Sequence, residues 1–211
     1  MKTSFILNVA EYIRDAILDH ESELESLDRA IGDGDHYINM KRGASAIVEM
    51  RAELESLTPD AALNKIGMKL LSTIGGASGP LLASFFMSMG KTLKEKADDG
   101  AISYAAAFAD GVKAIQQRGK AGLGEKTMLD VLIPVAQQFL TLTASHTNTK
   151  EICASLIHTA EQGMLSTKAL IATKGRAASL GERAIGHIDP GAKSCQLMIE
   201  AVCKQRLLIQ D

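Results

Sequence analysis

Three aspartates, Asp28, Asp33 and Asp35, stand close together in the stretch Leu27-Asp28-Arg29-Ala30-Ile31-Gly32-Asp33-Gly34-Asp35-His36, with glycines that let the backbone fold tightly around them. Carboxylates crowded in this way repel one another unless a cation lies between them. Magnesium suits the set: it is a hard ion that takes a few carboxylate oxygens, keeps some waters and fills its shell with substrate phosphates. The triad therefore points toward phosphate chemistry. Calcium is the rival ion, but the run lacks the ligand alternation and closing glutamate of an EF-hand loop. The plain alternative is a solvated acidic turn in which Asp28 or Asp35 caps a helix. The triad alone does not choose between them.

Two further stretches bear on that choice. Gly75-Gly76-Ala77-Ser78-Gly79-Pro80 runs directly into an apolar segment beginning near Leu81, and free amides at the positive end of a helix can receive phosphate oxygens. It is neither a Walker A motif nor a GxGxxG after a strand, and a close-packed turn between helices has the same composition. The second stretch is Lys174-Gly175-Arg176, followed by Gly181-Glu182-Arg183 and Gly186-His187-Ile188-Asp189-Pro190-Gly191. Arginine can pair with phosphate through two N–H groups, and Asp189 can cap a helix or reach a ligand. A long surface loop with solvated charges is the alternative. Other chemistry finds little support. His20, His146 and His158 have no carboxylate or cysteine at ligand spacing and read as surface histidines. No GxSxG elbow is present, and no cysteine has a nearby base. Met40, Met68, Met87, Met89 and Met128 read as gap-filling core residues, Met128 adjoining a loop where it can touch a base. With 4% aromatic residues and no tryptophan, an adenine would rest on aliphatic side chains.

Helices have to position these stretches. Apolar residues recur at three and four in Ile6, Val9, Ile13, Ile17, in Leu63, Ile66, Leu70, Ile74, and in Leu82, Phe85, Phe86, Met89, Leu93, which is the spacing of amphipathic helices. The same spacing returns in Leu132, Val135, Ala136, Phe139 and in Leu197, Met198, Ala201, Val202. No segment alternates with period two. The fold class expected is all-α, with about eight helices. Thr58-Pro59 and Asp189-Pro190 each read as an N-cap and first turn, and no proline breaks a long helix. Glycines concentrate in the 75–80 loop, in Arg118-Gly119-Lys120-Ala121-Gly122-Leu123-Gly124, and from Gly175 through Gly191. The 211 residues, 46% of them hydrophobic, suffice for one core, and without a linker or repeat the expectation is a single domain over 1–211. The net charge of −2 gives no electrostatic reason to bind nucleic acid or an anionic membrane. Neither a signal peptide nor a membrane span is expected. Cys153, Cys195 and Cys203 read as buried thiols in a reducing cytoplasm.

Taken together and in this order, the motifs resemble the DhaL family, the nucleotide-binding subunit or domain of dihydroxyacetone kinases. The resemblance runs from about Leu24 to Leu197 and adds Asn39-Met40, Lys126-Thr127-Met128-Leu129-Asp130 and Ala177 to the stretches above. It implies an antiparallel helical barrel with a nucleotide in the loops at one end. By that likeness Asp28, Asp33 and Asp35 hold two magnesium ions that bridge the phosphates of ADP or ATP. His36 and Asn39 contact the nucleotide, Ala77 and Ser78 offer phosphate-binding groups, and Gly119, Met128, Arg176, Asp189 and Gly191 line the rest of the pocket.

The activity implied is that of a phosphotransferase subunit. ADP stays bound, is rephosphorylated by a phosphohistidine protein, and its phosphate passes to dihydroxyacetone carried on a partner subunit. No residue of this chain is then catalytic beyond the metal and phosphate clamp. Two other readings are an ATP-exchanging subunit for another small ketose such as erythrulose, and a nucleotide-loaded regulatory module that binds a transcription regulator. Whether the chain forms a homodimer is left open. Two departures stand out: Tyr37 where the family usually has glycine, and Ala30 where glutamate is frequent. Tyr37 is expected to shape the pocket mouth or the partner surface. Related fatty-acid kinases have threonine at the position of His36, so the chain follows the dihydroxyacetone-kinase pattern.

Overall fold

The computed structural model describes residues 3–96 and 100–209. Among these residues every regular element is helical. The α-helices are α1 (Thr3–Asp19), α2 (Glu21–Ile31), α3 (His36–Glu49), α4 (Arg51–Glu55), α5 (Pro59–Thr73), α6 (Ser78–Glu95), α7 (Ala101–Gly119), α8 (Leu129–Ala144), α9 (Thr149–Ser166) and α10 (Pro190–Leu208). Two 3-10 segments, Thr167–Ala169 and Arg176–Ala184, lie between α9 and α10. Only His20 separates α1 from α2, and only Met50 separates α3 from α4. Counting each of those pairs as one bent element gives the eight expected.

The helices close on themselves. α1 packs on α3, α3 on α5, and each helix from α5 to α9 on its successor, until α10 packs back on α1. Successive members run antiparallel, so alternate connections emerge at the same end. One end carries the loops 32–35, 74–77, 120–128 and 167–189, and every stretch singled out for chemistry falls there. The other end carries the turns at 50–58 and 145–148, where Thr3 Oγ1 donates to the Leu57 carbonyl at 2.7 Å.

Burial follows the periodicity. Ile6 and Ile17 of α1, Leu63, Ile66 and Leu70 of α5, and Tyr37 and Met40 of α3 form one centre; Phe85, Ile115, Leu129, Val135 and Leu156 belong to another. Phe86, Met89 and Met198 touch both. Two of the methionines expected in the core lie on the outer wall instead, Met68 at 61% and Met87 at 41% exposure. They sit on the outward faces of the α5–α6 hairpin, where Met87 covers the bare Cα of Gly67; a Cβ there would lie 2.7 Å from Met87 Cγ. All three cysteines are buried and free. Among the described residues, no helix is long and apolar enough to cross a membrane.

Caps follow the sequence in part. Asp189 Oδ2 accepts the Ala192 amide at 2.7 Å with Pro190 in the first turn, whereas Thr58 stands at the cap of α5 without a side-chain bond. Pro134 lies inside α8 without ending it. Having no N–H, it leaves the Asp130 carbonyl without its usual helical donor. α9 packs tightly against α8 there, through Gly163, where a Cβ would run into Asp130 O. We expect Gly163→Ala to push α8 and α9 apart and cost roughly 1–3 kcal/mol. A urea-unfolding midpoint equal to that of the parent would show that this approach does not hold the wall.

Candidate functional site

Asp28 lies in the last turn of α2 at 4% exposure, while Asp33 and Asp35 stand exposed in the loop that follows. One carboxylate oxygen from each comes within 4.8 Å of the others. Gly32 makes room for this arrangement, because a Cβ at that position would run into Asp28 Oδ1. Gly34 then turns the chain at φ +80°, a left-handed conformation that glycine adopts without cost. Asp28 Oδ2 accepts the backbone N–H of His36 at 3.0 Å, at the start of α3. Asp35 holds the N-cap position but makes no side-chain capping bond. Asp28 thus caps a helix from within the protein, and the three carboxylates still converge. A small all-oxygen set suits a hard divalent cation completed by phosphate oxygens and water.

His36 links the triad to α10. Its Nε2 bonds to Ser194 Oγ, whose hydroxyl donates to the Pro190 carbonyl at 2.8 Å. Burial holds the His36 imidazole below its usual pKa, against the opposing pull of Asp28 and Asp35. Asn39 is buried one turn further on and accepts the Gly75 amide on Oδ1 at 3.3 Å, tying α3 to the α5–α6 loop. Ala77 and Ser78 begin α6 with no side-chain cap, so that helix directs free amides toward the same end. Gly119 closes α7 against α6, where a Cβ would lie 3.3 Å from Leu81 Cδ2.

The other two loops complete the ring. Arg176 Nε donates to Asp33 Oδ2 at 2.7 Å with its side chain 77% exposed. Gly191 lies beside Met128, at the N-cap of α8; a Cβ on Gly191 would sit 3.8 Å from Met128 Cβ and 3.0 Å from Asp189 Oδ2. Every site residue expected from the sequence therefore lies at one end, and eight of the twelve fall in two groupings, with Asn39, Ala77, Ser78 and Gly119 on the helix ends beside them. Asp28, Asp33, Asp35, His36 and Arg176 form one, and Met128, Asp189 and Gly191 form the other. Tyr37 is 2% exposed and packs into the core, while its ring lies under Lys41 Nζ at 5.5 Å and lines a surface hollow with Glu21, Glu25 and Lys41. Its spacing with Met40 and Ala44, all buried on one face of α3, was the available signal.

Residues that hold the loops were given no role by the sequence reading. Asp130 is buried and accepts the amides of Gly124 at 2.5 Å and Thr127 at 2.8 Å. Glu125 joins two loops by accepting from the Thr173 hydroxyl at 2.6 Å, which with the Gly122 amide and Lys174 holds its carboxyl below the usual range. Lys126 is buried and donates from Nζ to the carbonyls of Thr167 and His187. Thr167 in turn accepts the Asp189 amide at 3.1 Å.

A closed ring of antiparallel helices with a carboxylate triad at one end defines an all-α barrel protein with an acidic pole. Residues 30–204 match the DAK2 domain model, and the chain belongs to that family. The PEP-dependent dihydroxyacetone kinase 2, ADP-binding subunit DhaL, of Listeria innocua is 38% identical over 204 residues, 96% of this chain and 94% of that one. The PTS-dependent dihydroxyacetone kinase, ADP-binding subunit DhaL, of Lactococcus lactis is 39% identical over 186 residues, 88% of each. Triokinase/FMN cyclase of Bos taurus is 33% identical over 195 residues, covering 92% of this chain and 33% of its own. Among solved structures, the dihydroxyacetone kinase from C. freundii in complex with AMP-PNP and Mg2+ superposes with a TM-score of 0.75 at 24% identity, over 95% of this chain and 34% of that one. This last likeness shows the fold.

Asp189 generates a test. Burial pushes its carboxyl from the ordinary 3.8 up to about 7, while the Ala192 amide and Lys126 pull it back and Asp130 adds to the rise. Between those values the folded chain keeps a proton that the unfolded chain releases, so this group favours folding at the acid end and its contribution fades as pH rises through the folded value. Asp189→Asn preserves a good N-cap and removes the titration. Its Tm is expected to vary less than the parent's between roughly pH 5 and 8, and to be the higher of the two at the alkaline end. Parallel Tm profiles would contradict this.

Proposed function

We propose that this chain is the nucleotide-binding phosphotransfer subunit of a dihydroxyacetone kinase. It retains ADP with magnesium, receives a phosphoryl group from a phosphohistidine protein, and passes it to dihydroxyacetone held on a partner subunit in the cytoplasm. The observation that carries the reading is the triad, three carboxylate oxygens within 4.8 Å at the pole where four loops meet. The near end-to-end likeness to ADP-binding DhaL subunits of two species supports it.

In this reading each residue has a chemical task. Asp28, Asp33 and Asp35 hold two magnesium ions, which when bound neutralise charge on the phosphate oxygens. Ala77 and Ser78 present amides at the start of α6 to phosphate, and Arg176 supplies a guanidinium beside Asp33. Met128, Gly191, Asp189 and Gly119 form the nucleoside side, while His36 stands with the triad and Asn39 beside the Gly75 amide. The chain positions and neutralises, which is most of what phosphoryl transfer asks of a protein. The substrate hydroxyl and its base belong to the partner.

The triokinase likeness favours a second reading, a subunit that exchanges ATP freely. Denaturing protein purified without added nucleotide and counting released adenine nucleotide separates the two. About one ADP per chain supports a resident, recharged cofactor. An empty protein that binds ATP reversibly moves the assignment to the exchanging kinase.

Removing one metal ligand tests the site itself. Asp33→Ala should abolish magnesium-dependent nucleotide retention through a desalting column while leaving the far-ultraviolet circular dichroism unchanged, because the residue is exposed and outside the core. Undiminished retention would sink the metal assignment.

A further inference from the structure

Lys126 is the largest fully buried side chain among the described residues, at 1% exposure. Burying an ammonium is costly unless it is paired and hydrogen-bonded. Here its two hydrogen bonds go to carbonyls from opposite ends of one loop, Thr167 at the end of α9 and His187 just before α10. Its backbone sits at φ +60°, a left-handed conformation that a side chain tolerates only where its surroundings over-determine it. Burial pulls its pKa down, while Asp189 and Asp130 raise it and so favour the charged form.

The segments tied by this one ammonium carry one grouping of the pocket. Met128 lies two residues beyond Lys126 on the same loop. Thr167 accepts the Asp189 amide at 3.1 Å, and Asp189 caps α10 beside Gly191. The triad belongs to another loop, and Arg176, midway along the 167–189 connection, is held by Asp33, whereas both hydrogen bonds of Lys126 go to the ends of that connection.

We propose that Lys126 is a positioning residue for the nucleoside half of the pocket: by clamping the 120–128 loop to both ends of the 167–189 connection it sets the spacing of Met128, Asp189 and Gly191 without touching the ligand. The proposal rests on the nucleotide-binding reading above. It separates two halves of one ligand, because the phosphate end depends on the triad and the nucleoside end on the Lys126 clamp. Loss of the clamp should therefore weaken ADP and leave a bare magnesium pyrophosphate alone. A merely structural lysine would weaken both or neither.

The test is calorimetric titration of parent and Lys126→Met with ADP and with pyrophosphate at one fixed magnesium concentration. The result expected is at least a tenfold rise in the Kd for ADP with the Kd for pyrophosphate within twofold, so that the preference for the nucleotide collapses. Equal weakening of both ligands, or of neither, overturns the positioning role. A parent protein that binds pyrophosphate no more weakly than ADP, or binds neither, overturns the nucleotide reading instead and removes the basis of the proposal. If circular dichroism shows Lys126→Met unfolded, Lys126→Gln decides: the shorter neutral side chain keeps a donor but loses the ammonium that joins the two carbonyls, and is expected to raise the ADP Kd at least threefold and spare pyrophosphate. An unchanged ADP Kd in a folded Lys126→Gln protein would then overturn the proposal.

Discussion

Three carboxylates within 4.8 Å repel strongly, and much of the barrel's loop end is arranged around that repulsion. The His36 amide bonds to Asp28, Arg176 pairs with Asp33, Asp35 sits where the positive end of α3 emerges, and Gly32 withholds a side chain that would displace Asp28. Each of these is a local concession that an uncharged turn would not need. The Arg176 contact is largely solvent-exposed and so worth little as a stabilising ion pair. Its significance is in placing a guanidinium beside an anionic cluster while leaving it free to take another anion.

The two groupings of the pole are built on different physics. At the triad, charge dominates and the holding groups are amides and a guanidinium. Around Met128, Asp189 and Gly191, backbone carbonyls and amides do the holding, through Lys126, Thr167 and Asp130. The first half responds to ions; the second responds to anything that loosens the connection between α9 and α10. Glu125 ties that connection to the 120–128 loop a second time through Thr173, so the two longest loops at this end behave as one unit.

How much of this was legible in the sequence depends on the range of the forces. The helices were legible because amphipathic spacing is local: Leu63, Ile66, Leu70 and Ile74 are all buried as their spacing requires. The triad was legible because its three residues are neighbours in the chain. Lys126 stood in a recognised motif, yet nothing adjacent to it announces burial; its partners lie 41 and 61 residues away, and a lysine in a glycine-rich loop ordinarily faces water. Tyr37 was legible only in part. Comparison with a familiar motif drew attention to the substitution, although its own stripe with Met40 and Ala44 already marked it as core. Met68 and Met87 were misjudged because methionine's hydropathy does not say which face of a hairpin it will occupy.

Closure of the ring by α10 on α1 has a kinetic consequence. The α5–α6–α7 wall consists of hairpins whose partners are adjacent in the chain, so it can form early at small loop-closure cost. The α1–α10 seam joins segments from nearly opposite ends of the sequence and so closes the longest loop in the ring. That makes it the costliest closure of the ring in chain entropy, and the His36–Ser194 bond between α3 and α10 lies next to it at the loop end. Since α10 also begins at Asp189, an opening of that seam would disturb both groupings of the pole together, linking the lifetime of the closed barrel to the lifetime of whatever it holds.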